Sequence, residues 1–214
     1  TLLAVVGLIN AFNMFDGIDG LAAIQAVLSI VLIFTSMLIL NTTFSKDIFI
    51  IFLLGALLGF LISNLNLLPI TKVFLGDAGS MMLGFLIAWM LITYTQTPNK
   101  QGLPPSLSLW VVAIPVADTL AVSLRRLLLR NSPFRPDRKH LHHICLKLGL
   151  TPLHSLGLIF MLSIISYLIG ITTYFLFGDI ASIVIFFLML ILYYKIIKNI
   201  WWISNVLRKF NANR

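Results

Sequence analysis

Leu21-Ala-Ala-Ile-Gln-Ala-Val-Leu-Ser-Ile-Val-Leu-Ile-Phe-Thr-Ser-Met-Leu-Ile-Leu40 runs for twenty residues without a charged side chain. About 20 mostly apolar residues in a helix cross the hydrocarbon core of a bilayer. Working outward, runs of the same character recur at Ile48–Leu68, Met81–Thr95, Leu107–Leu124, Leu153–Phe177 and Ile180–Ile200. A partial run covers Thr1–Ile9. Met81–Thr95 is short, so its helix is expected to start inside the preceding loop or to continue into Gln96. The expected fold is all-α: a polytopic transmembrane helical bundle of about six full helices and one partial helix, with cytoplasmic loops forming any site.

Composition agrees. Of 214 residues, 59% are hydrophobic and 10% charged, and the mean hydropathy is +1.02. Soluble domains carry roughly 25% charged residues. All seven acids are Asp; no Glu occurs. The net charge of +8 fits cationic loops on the inner side of a membrane better than nucleic-acid binding, since no basic stripe with interleaved aromatics is present. The single cysteine, Cys145, rules out an internal disulfide and a cysteine zinc cluster. The chain opens at Thr1 within an apolar run and reads as the C-terminal portion of a longer protein.

Orientation follows from the basic residues. Taken alternately, one set of connections and the C-terminal end hold Lys72, Arg125, Arg126, Arg130, Arg135, Arg138, Lys139, Lys147, Lys195, Lys198, Arg208, Lys209 and Arg214; the other set holds only Lys46 and Lys100. The first set is therefore expected in the cytoplasm. Trp201 and Trp202 are expected as interfacial anchors. The connections on the outer side (Asn41–Asp47, Gln96–Ser106, Gly178–Asp179) are too short for a folded domain. Asn10–Gly20, Pro69–Ser80 and Arg125–Thr151 then share the cytoplasmic side, with most of the acids and three of the four His.

Three segments carry candidate chemistry. In Asn13-Met-Phe-Asp16-Gly-Ile-Asp19-Gly20, a helical reading puts Asp16 and Asp19 on one face. Such like charges repel unless a cation bridges them, and Mg²⁺ suits carboxylates. A pair of capping Asp at a turn fits the spacing equally well. In Phe74-Leu-Gly76-Asp77-Ala-Gly79-Ser80, Asp77 or Ser80 reads as a helix N-cap. The other reading is a metal or phosphate site at a helix N-terminus, with Asp77 as ligand and Phe74 offering a ring to a base. No P-loop motif occurs. In Arg125–His143, the Arg and Lys fit a topology-setting loop, but His140, His142 and His143 do not follow from that. Zinc is disfavoured beside Arg138 and Lys139; Arg and His around a diphosphate fit better. Asp118, inside the membrane, is a functional candidate by default or a partner for a basic residue at its helix end.

Asn-x-x-Asp-Gly-Ile-Asp-Gly-Leu-Ala, Phe-Leu-Gly-Asp-Ala-Gly-Ser and Ser-Pro-Phe-x-x-Asp-Arg-x-His-x-His-His occur here in that order. Together they resemble the cytoplasmic motifs of the polyprenyl-phosphate N-acetylhexosamine-1-phosphate transferase family, over essentially the whole chain. The resemblance implies one transmembrane catalytic domain over residues 1–214, in the bacterial inner membrane. The implied reaction is transfer of N-acetylglucosamine-1-phosphate from UDP-N-acetylglucosamine to undecaprenyl phosphate, with release of UMP. Mg²⁺, or Mn²⁺ in its place, is the implied cofactor, and membrane lipid but no nucleic acid is a partner. It also implies roles: Asp16, Asp19 and Asp77 catalytic; Asp77 and Asp16 on the metal; Asn13, Phe74, Arg126, His140, His142 and His143 on substrate. The histidine pattern favours the N-acetylglucosamine members, which start cell-surface polysaccharides such as O-antigen. The family has a further paired-Asp motif, and no Asp-Asp occurs here, so residues 1–214 alone are expected to be inactive. The alternatives are another N-acetylhexosamine transferase of the family, a transporter piece, or an inactive membrane fragment.

Overall fold

Apolar runs in lipid have no water to bond their amides, so they satisfy them within helices. A computed structural model describes residues 1–42, 48–96, 102–130, 132 and 139–212, with the side chains of 202–212 left out. It is all-helical, with no strand among the described residues. The helices are α1 (Leu2–Phe15), α2 (Leu21–Ile39), α3 (Ile48–Asn64), α4 (Gly76–Thr95), α5 (Pro105–Val111), α6 (Ala113–Leu128), α7 (Leu141–Lys147) and α8 (Pro152–Ala212). Arg135, Asp137, Arg138, Lys46, Lys100 and Arg214 lie outside the described residues, as do the side chains of Trp202, Arg208 and Lys209.

Several expected boundaries shift, each for a physical reason. The partial run Thr1–Ile9 is the start of a helix that continues to Phe15, so Asn13 is helical and only Asp16–Gly20 is loop. α4 begins at Gly76, inside the preceding loop as the short apolar run required. α3 stops at Asn64 rather than Leu68; Asn66 takes a left-handed conformation (φ 52°) and turns the chain away. The expected span Leu107–Leu124 is two helices bent by 76° at Val112. Pro115 lacks the N–H that would reach Val111 and its ring clashes with that carbonyl, so the helix breaks there.

α8 is a hairpin rather than one rod. Gly178 adopts φ 81°, ψ −179°, a region essentially reserved for glycine. The two arms fold back on each other: Thr173 Oγ1 and Ser182 Oγ are 3.1 Å apart. Trp110 Nε1 donates to Ser182 Oγ at 3.0 Å, and its ring lies on Gly170, where a Cβ would come within 2.1 Å of Cγ. The turn expected at Gly178–Asp179 is thus present, and Asp179 Oδ1 accepts from the amide of Ser106 at 3.1 Å.

With lipid all round, helices associate by close packing and a few polar contacts. α1 and α4 cross at Gly84, where a Cβ would meet the Leu8 carbonyl oxygen at 2.6 Å. α2 is joined to the first arm of α8 by Ser163 Oγ donating to Gln25 Oε1 (2.9 Å) and by the Ser36–Tyr167 hydroxyl pair (2.7 Å). Each such bond contributes about 0.6 kcal/mol. One apolar core holds Phe12, Ile30, Ile33, Met37, Ile87 and Met90. A second, around Phe15, Val122, Leu141, Ile144, Ile159 and Trp201, packs α7 against α8 and the end of α1. Trp201 is therefore buried, not a lipid-facing anchor; its Nε1 donates to the Lys139 carbonyl at 3.0 Å, and Arg125 lies over its ring.

Candidate active site

The site is built from the ends of α1, α3 and α4. α1 ends at Phe15, and Asp16 (φ −76°, ψ 59°) leaves the helical path. Asp16 and Asp19 are therefore not neighbours on a helix face, as the helical reading had them; a turn containing Gly17 and the left-handed Gly20 (φ 77°) carries them. They line one cleft of about 330 Å³ with Asp77, Phe74, Asn64 and Gly76. Three acids, two from the α1–α2 loop and one from the first turn of α4, thus meet in one place.

Local contacts fix this cleft. Ser80 Oγ donates to Asn13 Oδ1 at 2.9 Å and lies 3.1 Å from the Asp77 carbonyl oxygen. No side chain caps α4, so neither Asp77 nor Ser80 has the N-cap role open to it from sequence. Ser63 Oγ donates to the Thr71 carbonyl (2.7 Å) and Asn64 Nδ2 to the Val73 carbonyl (2.8 Å), tying the loop before α4 to the end of α3. Lys72 Nζ pairs with Asp19 Oδ2 at 2.6 Å and sits 5.1 Å from the Phe74 ring centre. Phe74 is 70% exposed, free to meet a planar ligand. Lys72 and Asn64 escaped the sequence reading: no motif marks them, and only the fold brings them to the acids.

The electrostatics are those of crowded carboxylates. Burial, reinforced by the charges of Asp77 and then Asp19, pushes the Asp16 carboxyl up to about 6. A hard divalent cation would relieve that repulsion. Among the described residues no three His, Cys or acid groups converge into a closed metal cage. The donor set fits an ion that takes one or two carboxylates and fills its shell with water and phosphate oxygens, as Mg²⁺ does.

The histidines sit beside this cleft, in α7 and at its N-cap. Asp118, fully buried, accepts from the Leu141 amide (2.9 Å) and from Tyr193 Oη (3.1 Å), and bonds His140 Nδ1 (2.9 Å). The basic residue it pairs with is thus His140. His142 is 1% exposed. Burial, then His143 and His140, pushes its imidazole down to about 3, so it is neutral. The His142 and His143 rings are 4.2 Å apart. Arg126 is buried in the last turn of α6 and is not among the cleft-lining residues.

Residues 1–95, which include both acidic loops, match the model of glycosyl transferase family 4. The chain is 38% identical over 161 residues to an undecaprenyl-phosphate alpha-N-acetylglucosaminyl 1-phosphate transferase of Haemophilus influenzae, covering 73% of this chain and 45% of the relative. Proteins of the same description from Salmonella typhi (34% over 160 residues; 73% and 43%) and Escherichia coli K12 (36% over 169; 76% and 46%) are similar. The chain spans less than half the length of these relatives. No solved structure matches.

Proposed function

We propose that this chain, whose residues 1–95 match the model of glycosyl transferase family 4, belongs to an enzyme that moves N-acetylglucosamine-1-phosphate from UDP-N-acetylglucosamine to undecaprenyl phosphate at the inner face of the bacterial inner membrane. The observation that carries this reading is the meeting of Asp16, Asp19 and Asp77 in one open cleft at the ends of apolar helices. The names of the relatives supply the substrates. One substrate lies in lipid and the other in water, so such a cleft must open at the interface.

Balanced, the reaction is a phosphoryl substitution. An oxygen of the lipid phosphate bonds to the sugar-linked phosphorus of the donor, the bond from that phosphorus to the UMP oxygen breaks, and UMP leaves. Phosphoryl transfer depends mostly on positioning and charge neutralisation. Mg²⁺, or Mn²⁺ in its place, held by Asp77 and Asp16, would supply the neutralising charge. Asn13, bonded to Ser80, keeps the Asp16 and Asp77 loops in register. Phe74 offers its exposed ring to the uracil. Lys72 draws the donor phosphates, and its partner Asp19 holds it at the cleft.

Asp77→Asn in the full-length protein tests the assignment. Asp77 caps nothing, so the substitution removes charge without removing a cap. Turnover should fall at least about 100-fold, or about 3 kcal/mol, at unchanged membrane abundance. Wild-type turnover would remove Asp77 from the site.

A further inference from the structure

His142 belongs with the motif expected to meet substrate, yet no α7 residue lines the acidic cleft. Its ring is buried, and neither Nδ1 nor Nε2 has a hydrogen-bond partner. What the ring touches is Gly17. A Cβ built on Gly17 would lie 1.9 Å from His142 Nε2, 2.4 Å from Cε1 and 2.6 Å from Cδ2, distances that real Cβ atoms do not adopt. Gly17 is not among the left-handed glycines, so its backbone would accept alanine. The three atoms nearest such a Cβ all belong to the imidazole, so its edge is the first thing a larger residue would meet there. Nor can the ring swing aside easily: His143 lies against it at 4.2 Å, the parallel His140 ring follows at 5.9 Å, and Asp118 fixes His140 in turn.

We propose that His142 is a positioning residue, whose imidazole is the surface on which Gly17 is laid and which thereby sets the places of Asp16 and Asp19 without touching substrate. Gly17 stands between those two acids, so a displaced Gly17 moves both. Ring shape is then what matters at position 142, and ring nitrogens are dispensable. The inference rests on the proposed reaction only for its activity readout.

A double-substitution cycle tests it in the full-length protein. Gly17→Ala should lower Tm by more than about 3 °C when His142 is present. It should lower Tm little or not at all in a His142→Ala background, where the space is free. An equal drop in both backgrounds overturns the contact. In the activity assay, His142→Phe should keep turnover within about threefold, while His142→Ala lowers kcat by about tenfold or more and leaves the donor KM within about twofold. A raised donor KM at unchanged kcat, the same for Phe and Ala, would mark direct substrate contact and overturn the proposal. The Phe arm stands alone if His142→Ala is not recovered from membranes. Failure of the wild-type protein to release UMP would sink the proposed reaction and leave the Tm cycle intact. An additive cycle with normal UMP release would sink only the role of His142.

Discussion

Ser80 Oγ donates a 2.9 Å hydrogen bond to Asn13 Oδ1, joining the first turns of α4 to the last turn of α1 across 67 residues of sequence. This bond ties two motifs that sequence shows only as separate loops. It also sets a register, because Asp77 lies one turn before Ser80 and Asp16 one turn after Asn13.

Removing either partner should therefore give coupled effects. Ser80→Ala and Asn13→Ala should each cost about 1 kcal/mol. The double variant should cost less than their sum, with a coupling of about 0.5–1.5 kcal/mol. Thermal unfolding in detergent would read the cycle. Strict additivity would mean that the bond contributes nothing to register.

Asp118 should act as a structural anchor for α7. Its carboxylate accepts from the Leu141 amide and Tyr193 and pairs with His140. Asp118→Ala strands those partners in a buried place and should cost about 3–5 kcal/mol. Tyr193→Phe removes one bond and should cost about 1 kcal/mol. Protease added to the membrane face that carries this loop should cut Asp118→Ala faster between residues 125 and 151. Wild-type resistance in that variant would contradict the anchor.

The acidic cleft should show in the pH dependence of stability. The folded-state Asp16 pKa of about 6 lies above its ordinary 3.8. The folded state therefore binds more protons between these values, and stability falls as pH rises from about 4 through 6. Asp16→Asn should raise Tm at pH 7.5 in EDTA, and the gain should vanish at pH 4. Divalent cations should stabilise the wild type at pH 7.5 more than the variant. Equal Tm values for variant and wild type at pH 7.5 in EDTA would show that the carboxylate is not crowded.

The fold was readable where a local pattern decides it. Apolar runs marked most of the helices, and Gly178-Asp179 marked the hairpin turn of α8. The break at Val112 had a visible cause in Pro115, but the apolar run around it is continuous and hides the bend. The site was readable only as segments. Alternation of spans put Asn10–Gly20, Pro69–Ser80 and Arg125–Thr151 on one side, and the structure lays Gly17 against His142 and brings Asp16 and Asp19 into one cleft with Asp77. The pairings themselves are long-range: Lys72 with Asp19, Asp118 with His140, Gly17 under His142. No local pattern encodes them. That is why Lys72 was missed, and why nothing local placed Gly17 under His142.

The identity of the released nucleotide tests the central claim most directly. The full-length protein, given UDP-N-acetylglucosamine, undecaprenyl phosphate and Mg²⁺, should release UMP in step with a lipid-linked diphosphate sugar. Asp77→Asn should release almost none. Release of UDP would mean that sugar without its phosphate is transferred, and that result, or no lipid-dependent nucleotide release by the wild type, would contradict the account.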